Sequence, residues 1–123
     1  QDLRVWRAAM ELAKELFELT KGFPEEERIG ITSQLRHAAV AVARDIADGA
    51  ARPSKREFLA LLVDARGTLA EIETLLLLGR DLGYGADVSA WLAQTDIVFG
   101  MLNALMTEIS REPTVAQPGP EEG

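Results

Sequence analysis

The stretch from Lys55 to Leu82 constrains this chain more than any other. Phe58, Leu62, Ala65, Leu69, Ile72 and Leu76 follow one another at steps of four and three, the spacing of an apolar seam along one side of a long helix. Leu59, Val63, Ala70 and Leu77 make a second apolar stripe, rotated from the first by about 100–140° at 3.6 residues per turn. One helix of a lone bundle needs a single seam. The second stripe asks for a further partner, and its four residues are candidate oligomer contacts. Ser54 and Glu57 precede the seam at S-x-x-E spacing, which predicts a reciprocal capping box at the helix start.

Three other segments carry the same helical period. From Leu3 to Lys21, the residues Val5, Trp6, Ala9, Met10, Ala13, Leu16 and Phe17 recur on one face. Asp2 is placed to cap the first turn, Gly22 to close the helix in a left-handed conformation, and Pro24 to prevent its resumption. A second helix is expected from Thr32 or Ser33 to Gly49, with Leu35, Ala39, Val42 and Ile46 as its stripe. Its many alanines suit close helix approach. Gly83 and Gly85 form a turn around Tyr84, and a fourth helix runs from Val88 to Arg111, capped by Asp87 or Ser89. Its seam is Val88, Trp91, Thr95, Val98, Leu102, Leu105 and Ile109, with Leu92, Phe99 and Met106 at seven-residue intervals beside it.

No segment alternates with a period of two. Short loops between the helices favour antiparallel neighbours. The predicted fold is all-α, an antiparallel up-down-up-down four-helix bundle over residues 1–111. Residues 112–123 read EPTVAQPGPEEG, rich in Pro, Gly and Glu, and are expected to be a disordered tail. The first residue, Gln1, suggests a trimmed native N-terminus.

The inventory of side chains excludes much chemistry. With 123 residues, no Cys and one His, the chain has no disulfide, no thiol nucleophile and no multi-His metal cage. A di-iron bundle needs two Glu-x-x-His pairs, but Gln34 stands three residues before His37. No phosphate-gripping G-x-x-x-x-G-K loop occurs. Ser33 and His37 are one helical turn apart, but a Ser–His pair without an orienting carboxylate is a weak catalytic signal. Capping explains Ser33 without it. No apolar run approaches the roughly 20 residues of a membrane span. The expectation is a cytoplasmic protein that is not an enzyme and holds no cofactor or metal.

What remains is charge. Against 20 Asp+Glu the chain has 13 Lys+Arg, for a net charge of -7. Residues 28–56 run the other way, with Arg28, Arg36, Arg44, Arg52, Lys55 and Arg56 against Asp45 and Asp48. Arg28, Arg36, Arg44, Arg52 and Lys55 are therefore candidate nucleic-acid or anion-binding residues. The arginines recur every eight residues, about 80° beyond two turns, so they spiral around a helix. Salt bridging to the surplus carboxylates is the competing reading, and an acidic surface repels phosphate at long range. Arg66, Glu73 and Arg80, spaced by seven, fall between the two apolar stripes of the long helix. Together with Asp48 they form a candidate structural ion-pair network, Arg66 pairing with Glu73 or Asp48, because partly desolvated charges require partners.

The same residues carry a family resemblance. Residues 33–76, SQLRHAAVAVARDIADGAARPSKREFLALLVDARGTLAEIETLL, resemble the four-helix-bundle proteins encoded by intervening sequences of bacterial 23S ribosomal RNA genes. The family pattern S-Q-I/L-R-R-A-A is met by Ser33, Gln34, Leu35, Arg36, Ala38 and Ala39. S-N-I-A-E-G is met by Ile46, Ala47 and Gly49, K-x-F by Lys55 and Phe58 at a slightly different spacing, and A-R-G-S-L-A-E by Ala65, Arg66, Gly67, Leu69, Ala70 and Glu71. Residues 3–24 and the Leu82-Gly83-Tyr84 turn are also similar. The resemblance implies a bundle assembled as a homopentameric ring, and no established biochemical activity. A sub-branch is similar to accessory proteins of diversity-generating retroelements, which bind a reverse transcriptase and nucleic acid through a basic surface. Here His37 replaces the second Arg, Arg44-Asp45 replaces S-N, and Asp48 replaces the Glu. These departures, with the net charge, weigh against nucleic-acid binding.

The resulting expectation is a non-enzymatic homo-oligomeric scaffold whose partner is itself, with a further protein partner left open. A nucleic-acid-binding accessory factor for a reverse transcriptase or RNA is the first alternative. An enzyme with an intersubunit site is a weaker one.

Overall fold

The structure, a computed structural model, describes residues 4–85 and 87–111. The predicted cap Asp2 and the predicted tail 112–123 lie outside those residues. Four helices form in the expected order: α1 (Arg4–Thr20), α2 (Ile31–Ala50), α3 (Lys55–Asp81) and α4 (Ser89–Arg111), with a 3-10 turn at Glu25–Glu27 between the first two. No strand is present among the described residues. Each helix packs on the next, and α4 returns to α1, so the four axes form a closed square with no diagonal contact. Consecutive neighbours joined by short connections run antiparallel. The fold is a four-helix bundle.

The core follows the seams. On α3, Leu62, Ala65, Leu69, Ile72 and Leu76 are all fully buried. On α4, Thr95, Val98, Leu102 and Ile109 are buried, and Trp91 and Leu105 are half-buried; Val88, just ahead of the helix, is buried too. α2 contributes Leu35, Ala38, Ala39, Val42, Ala43 and Ile46, and makes its most extensive interface with α3. At Gly49 the two helices come so close that an added Cβ would lie 2.9 Å from Phe58 Cδ1 and 3.2 Å from Leu61 Cβ.

The helix ends depart from expectation in three places. Gly22 does not adopt a left-handed conformation; among the described residues only Gly83 (φ 85°) and Gly85 (φ 73°) have positive φ. The chain leaves α1 through successive i→i+3 bonds, Gly22 N to Leu19 O and Phe23 N to Thr20 O, so no reversal is needed. α2 starts at Ile31, ahead of Thr32 and Ser33, where the Glu27 carboxylate reaches forward to accept from Ile31 N at 3.3 Å. Ser33 therefore sits inside the first turn. The box at α3 is half made: Ser54 Oγ accepts from Glu57 N at 3.1 Å, but the Glu57 carboxylate takes the Ser54 hydroxyl at 3.0 Å and not its backbone N–H. At α4, Asp87 Oδ1 accepts from Ser89 N at 2.9 Å, as expected.

Candidate functional site

Sequence reasoning singled out three sets of residues, and the fold treats them differently. The second stripe of α3 lies largely outside the core, although Leu59 packs against it. Val63 is 46 % exposed, Ala70 is exposed, and Leu59 and Leu77 are half-buried. Arg66 lies beside the stripe, half-buried, and its Nη1 donates to Asn103 Oδ1 on α4 at 3.0 Å. That bond ties α3 to α4. Leu92, Phe99 and Met106 on α4 are half-buried and pack against the core.

The proposed ion-pair network does not form within the chain. Arg66 pairs with an amide; no carboxylate among the described residues lies within ion-pair distance of it. Asp48 is held instead by Arg52, Nε to Oδ1 at 3.0 Å and Nη2 to Oδ2 at 3.2 Å, while Arg52 Nη1 reaches Glu57 at 3.1 Å. The hydrogen bond from Arg52 holds the Asp48 carboxyl below its ordinary pKa, and the two carboxylates raise that of Arg52. Arg80 turns to its neighbour Asp81 at 3.0 Å. Glu73 is exposed and makes no ion pair among the described residues. The physical reason is local: α2 and α3 carry nearer carboxylates, one or four residues away, than any that must be reached across the bundle.

The candidate anion-binding residues are scattered. Arg28 pairs with Glu25 beside the 3-10 turn. Arg36 lies across the α1–α2 seam with its guanidinium 4.9 Å from the Phe17 ring centroid, Nε donating to Thr20 Oγ1 at 2.8 Å and Nη2 to Phe17 O at 3.3 Å. Arg44 is exposed beside Asp45. Arg52 and Lys55 sit at the α2–α3 corner. No single basic surface gathers the five.

A groove between α1 and α2 escaped the sequence reading. It encloses about 570 Å³ and is lined by Trp6, Met10, Ala13, Phe17, Val40, Ala43 and Ala47, with Lys14, Glu18 and Arg44 at its rim. Met10 and Phe17, expected in the core, are 40 % and 37 % exposed. The buried face of α1 is instead Val5, Ala9, Leu12, Ala13, Leu16 and Thr20. The 4-3-4 spacing of Trp6, Met10, Ala13 and Phe17 was the available signal: it is a seam of its own, one step round from the core.

A polar tie closes one end of the bundle. Tyr84, in the α3–α4 turn, donates its hydroxyl to Glu27 Oε2 at 2.8 Å, and its ring packs at 5.7 Å from that of Phe23. The carboxylate beside it raises the Tyr84 pKa above 10.0. Ser33 and His37 are 3.5 Å apart at the surface. Among the described residues no group of His, Asp and Glu could hold a metal ion. No helix of the described residues is long and apolar enough to cross a membrane.

The 23S rRNA-intervening sequence protein family matches residues 1–104. The chain belongs to that family. No curated protein matches the sequence. The match covers α1, α2, α3 and most of α4.

Proposed function

We propose that this chain is a non-enzymatic, homo-oligomeric helical scaffold, assembled as a pentameric ring, and that its residues act by contact with copies of itself and with a protein partner. The observation that carries this reading is the uncovered stripe of α3. Val63 and Ala70 are exposed and Leu77 is half-buried, while the first seam of α3 from Leu62 to Leu76 is fully buried. A contiguous apolar face of this kind marks an interaction surface. Family membership supports the bundle as the unit of assembly. The non-enzymatic part of the reading is supported by the surroundings of the one His, which is exposed 3.5 Å from Ser33, a pairing that by itself is a weak catalytic signal. Light scattering on the purified chain tests the reading. The expected mass is five times the 13.4 kDa of one copy; a monomer at micromolar concentration overturns it.

The alternative roles, an accessory factor of the retroelement kind that binds nucleic acid or a reverse transcriptase, and an enzyme with an intersubunit site, rank lower. The cations that would grip phosphate are spread over the bundle, and Arg28, Arg44 and Arg52 are already engaged by carboxylates.

A further inference from the structure

We propose that the hollow between Arg66 and Arg111, where α3 meets the last turns of α4, binds a phosphate group, as the free ion or as a small phosphate monoester. The inference goes beyond the scaffold reading and does not rest on it.

The hollow encloses about 410 Å³ and is lined by Arg66, Asn103, Met106, Thr107, Ser110 and Arg111. Asn103, Thr107, Ser110 and Arg111 follow the i, i+4, i+7, i+8 pattern, which places them on one side of α4. Arg66 reaches that side from α3 through its bond to Asn103. All of these but Met106 carry hydrogen-bond donors, and the two arginines are permanent cations. No carboxylate of the described residues lines the hollow. Glu108 shares a neighbouring hollow with Arg111 and also borders Arg4 and Val5 on the α1 side, but no ion pair joins it to Arg111 among the described residues.

Such a set stands apart from the rest of the chain. The net charge is -7, and Arg28, Arg44, Arg52 and Arg80 each lie against a carboxylate. Arg66 has an amide partner in its place, and Arg111 makes no ion pair among the described residues. Arg66 is also half-buried. Its guanidinium has given up part of its water without gaining a counter-ion, so part of the desolvation that anion binding requires is already in place.

Geometry selects the ligand. Asn103 Oδ1 holds Arg66 Nη1 at 3.0 Å. This orients the guanidinium plane and leaves Nε and Nη2 without a partner among the described residues. Those two N–H groups form an edge that takes two oxygens of one anion side by side. Arg111 supplies a second charge, and the Thr107 and Ser110 hydroxyls are further donors around the same space. Two cations with added hydroxyls match a phosphate monoester, which carries about -1.5 to -2 near pH 7 and three acceptor oxygens. A carboxylate has one charge and would leave the second arginine unused. A nucleic-acid backbone is gripped by a row of cations, whereas Asp64, Glu71 and Glu73 are exposed along α3. None of the stripe residues Leu59, Val63, Ala70 and Leu77 lines the hollow, so the site is separate from the contact proposed for assembly.

Isothermal titration calorimetry of the purified chain with inorganic phosphate and with phenyl phosphate, at fixed ionic strength, tests this. Saturable binding with a Kd of about 1 mM or tighter is expected, and the tighter of the two probes tells which source the site takes. Arg66→Gln and Arg111→Gln are each expected to weaken binding about tenfold, the effect of losing a charge-assisted hydrogen bond. Arg44→Gln removes the same charge at the α1–α2 groove and is expected to bind as the parent does. Arg111 is exposed at the end of its helix, so its variant carries the test should Arg66→Gln lose the parent's helical circular dichroism. No saturable binding of either probe overturns the proposal. Equal weakening in Arg44→Gln overturns it as well, because the effect is then one of net charge. A single-stranded RNA oligonucleotide that binds more tightly than phenyl phosphate, and loses that affinity in Arg66→Gln and Arg111→Gln, overturns the small-ligand assignment in favour of a polynucleotide.

Discussion

Arg66 and Asn103 meet across the α3–α4 contact, the guanidinium Nη1 donating to the amide Oδ1 at 3.0 Å. The pair is half-buried and lies beside the second stripe of α3. Because the partner is an amide, removing the arginine strands no carboxylate. Arg66→Ala is therefore expected to cost about 1 kcal/mol, the scale of one hydrogen bond, and not the 3–5 kcal/mol of a broken buried ion pair. Asn103→Ala should cost a similar amount, and the double variant should cost less than the two singles added together. Chemical denaturation of the four proteins, at one protein concentration, gives the coupling; strict additivity would mean that the bond contributes nothing.

The Tyr84–Glu27 tie gives a pH signature. The phenol donates only while protonated, and the neighbouring carboxylate raises its pKa above 10.0. A group whose folded pKa is raised stabilises fully below its unfolded pKa, and that contribution is lost as pH rises through the folded value. The melting temperature of the parent should thus exceed that of Tyr84→Phe at neutral pH, and the gap should close above pH 10.0. Parallel melting curves from neutral to alkaline pH would show that the tie is not a source of stability.

Two glycines inside helices should respond to alanine with opposite signs. At Gly49 a Cβ would crowd Phe58 and Leu61 at the closest approach of α2 and α3. At Gly67 it would meet nothing within 4 Å. Alanine gains about 1 kcal/mol of helix propensity at either site, but overpacking costs about 1–3 kcal/mol. Gly49→Ala is expected to lower the melting temperature and Gly67→Ala to raise it. The comparison belongs in the Val63→Glu background, so that assembly does not enter.

Nucleic-acid binding is expected to be weak. Arg36 is occupied by Thr20 and the Phe17 ring, Arg52 by Asp48 and Glu57, and the whole chain is at -7. Filter binding of RNA and DNA at physiological salt should find no sub-micromolar affinity. Tight binding that falls with salt, as counterion release requires, and that Arg36→Ala or Arg44→Ala weakens, would promote the accessory-factor role over the scaffold.

The bundle was legible because its signals are local and repeated. The 4-3 steps of α3 name Leu62, Ala65, Leu69, Ile72 and Leu76, all fully buried, and miss only the buried Leu75 and Gly79 of that helix, and the surplus stripe is already visible in the same twenty residues. What the sequence hid depends on which way a helix rolls. Trp6, Met10 and Phe17 are as apolar as Leu12 and Leu16, so periodicity placed Val5, Ala9, Ala13 and Leu16 on the buried face but took Met10 and Phe17 with them and missed Leu12. Polar partners were harder still. Arg66 offered Glu73 and Asp48 by charge, but Asn103, thirty-seven residues on, becomes its neighbour only once the α3–α4 turn has set the register. Likewise Glu27 reads as one of three consecutive glutamates. Only the fold shows that it alone receives both Ile31 N and Tyr84 Oη.

Native mass spectrometry of the purified chain at micromolar concentration tests the central claim most directly, because it counts subunits. The account predicts a dominant species holding five copies of the 13.4 kDa chain, which the Val63→Glu substitution reduces to one. A dominant single copy in the parent, with the helical content of four helices intact, would contradict it.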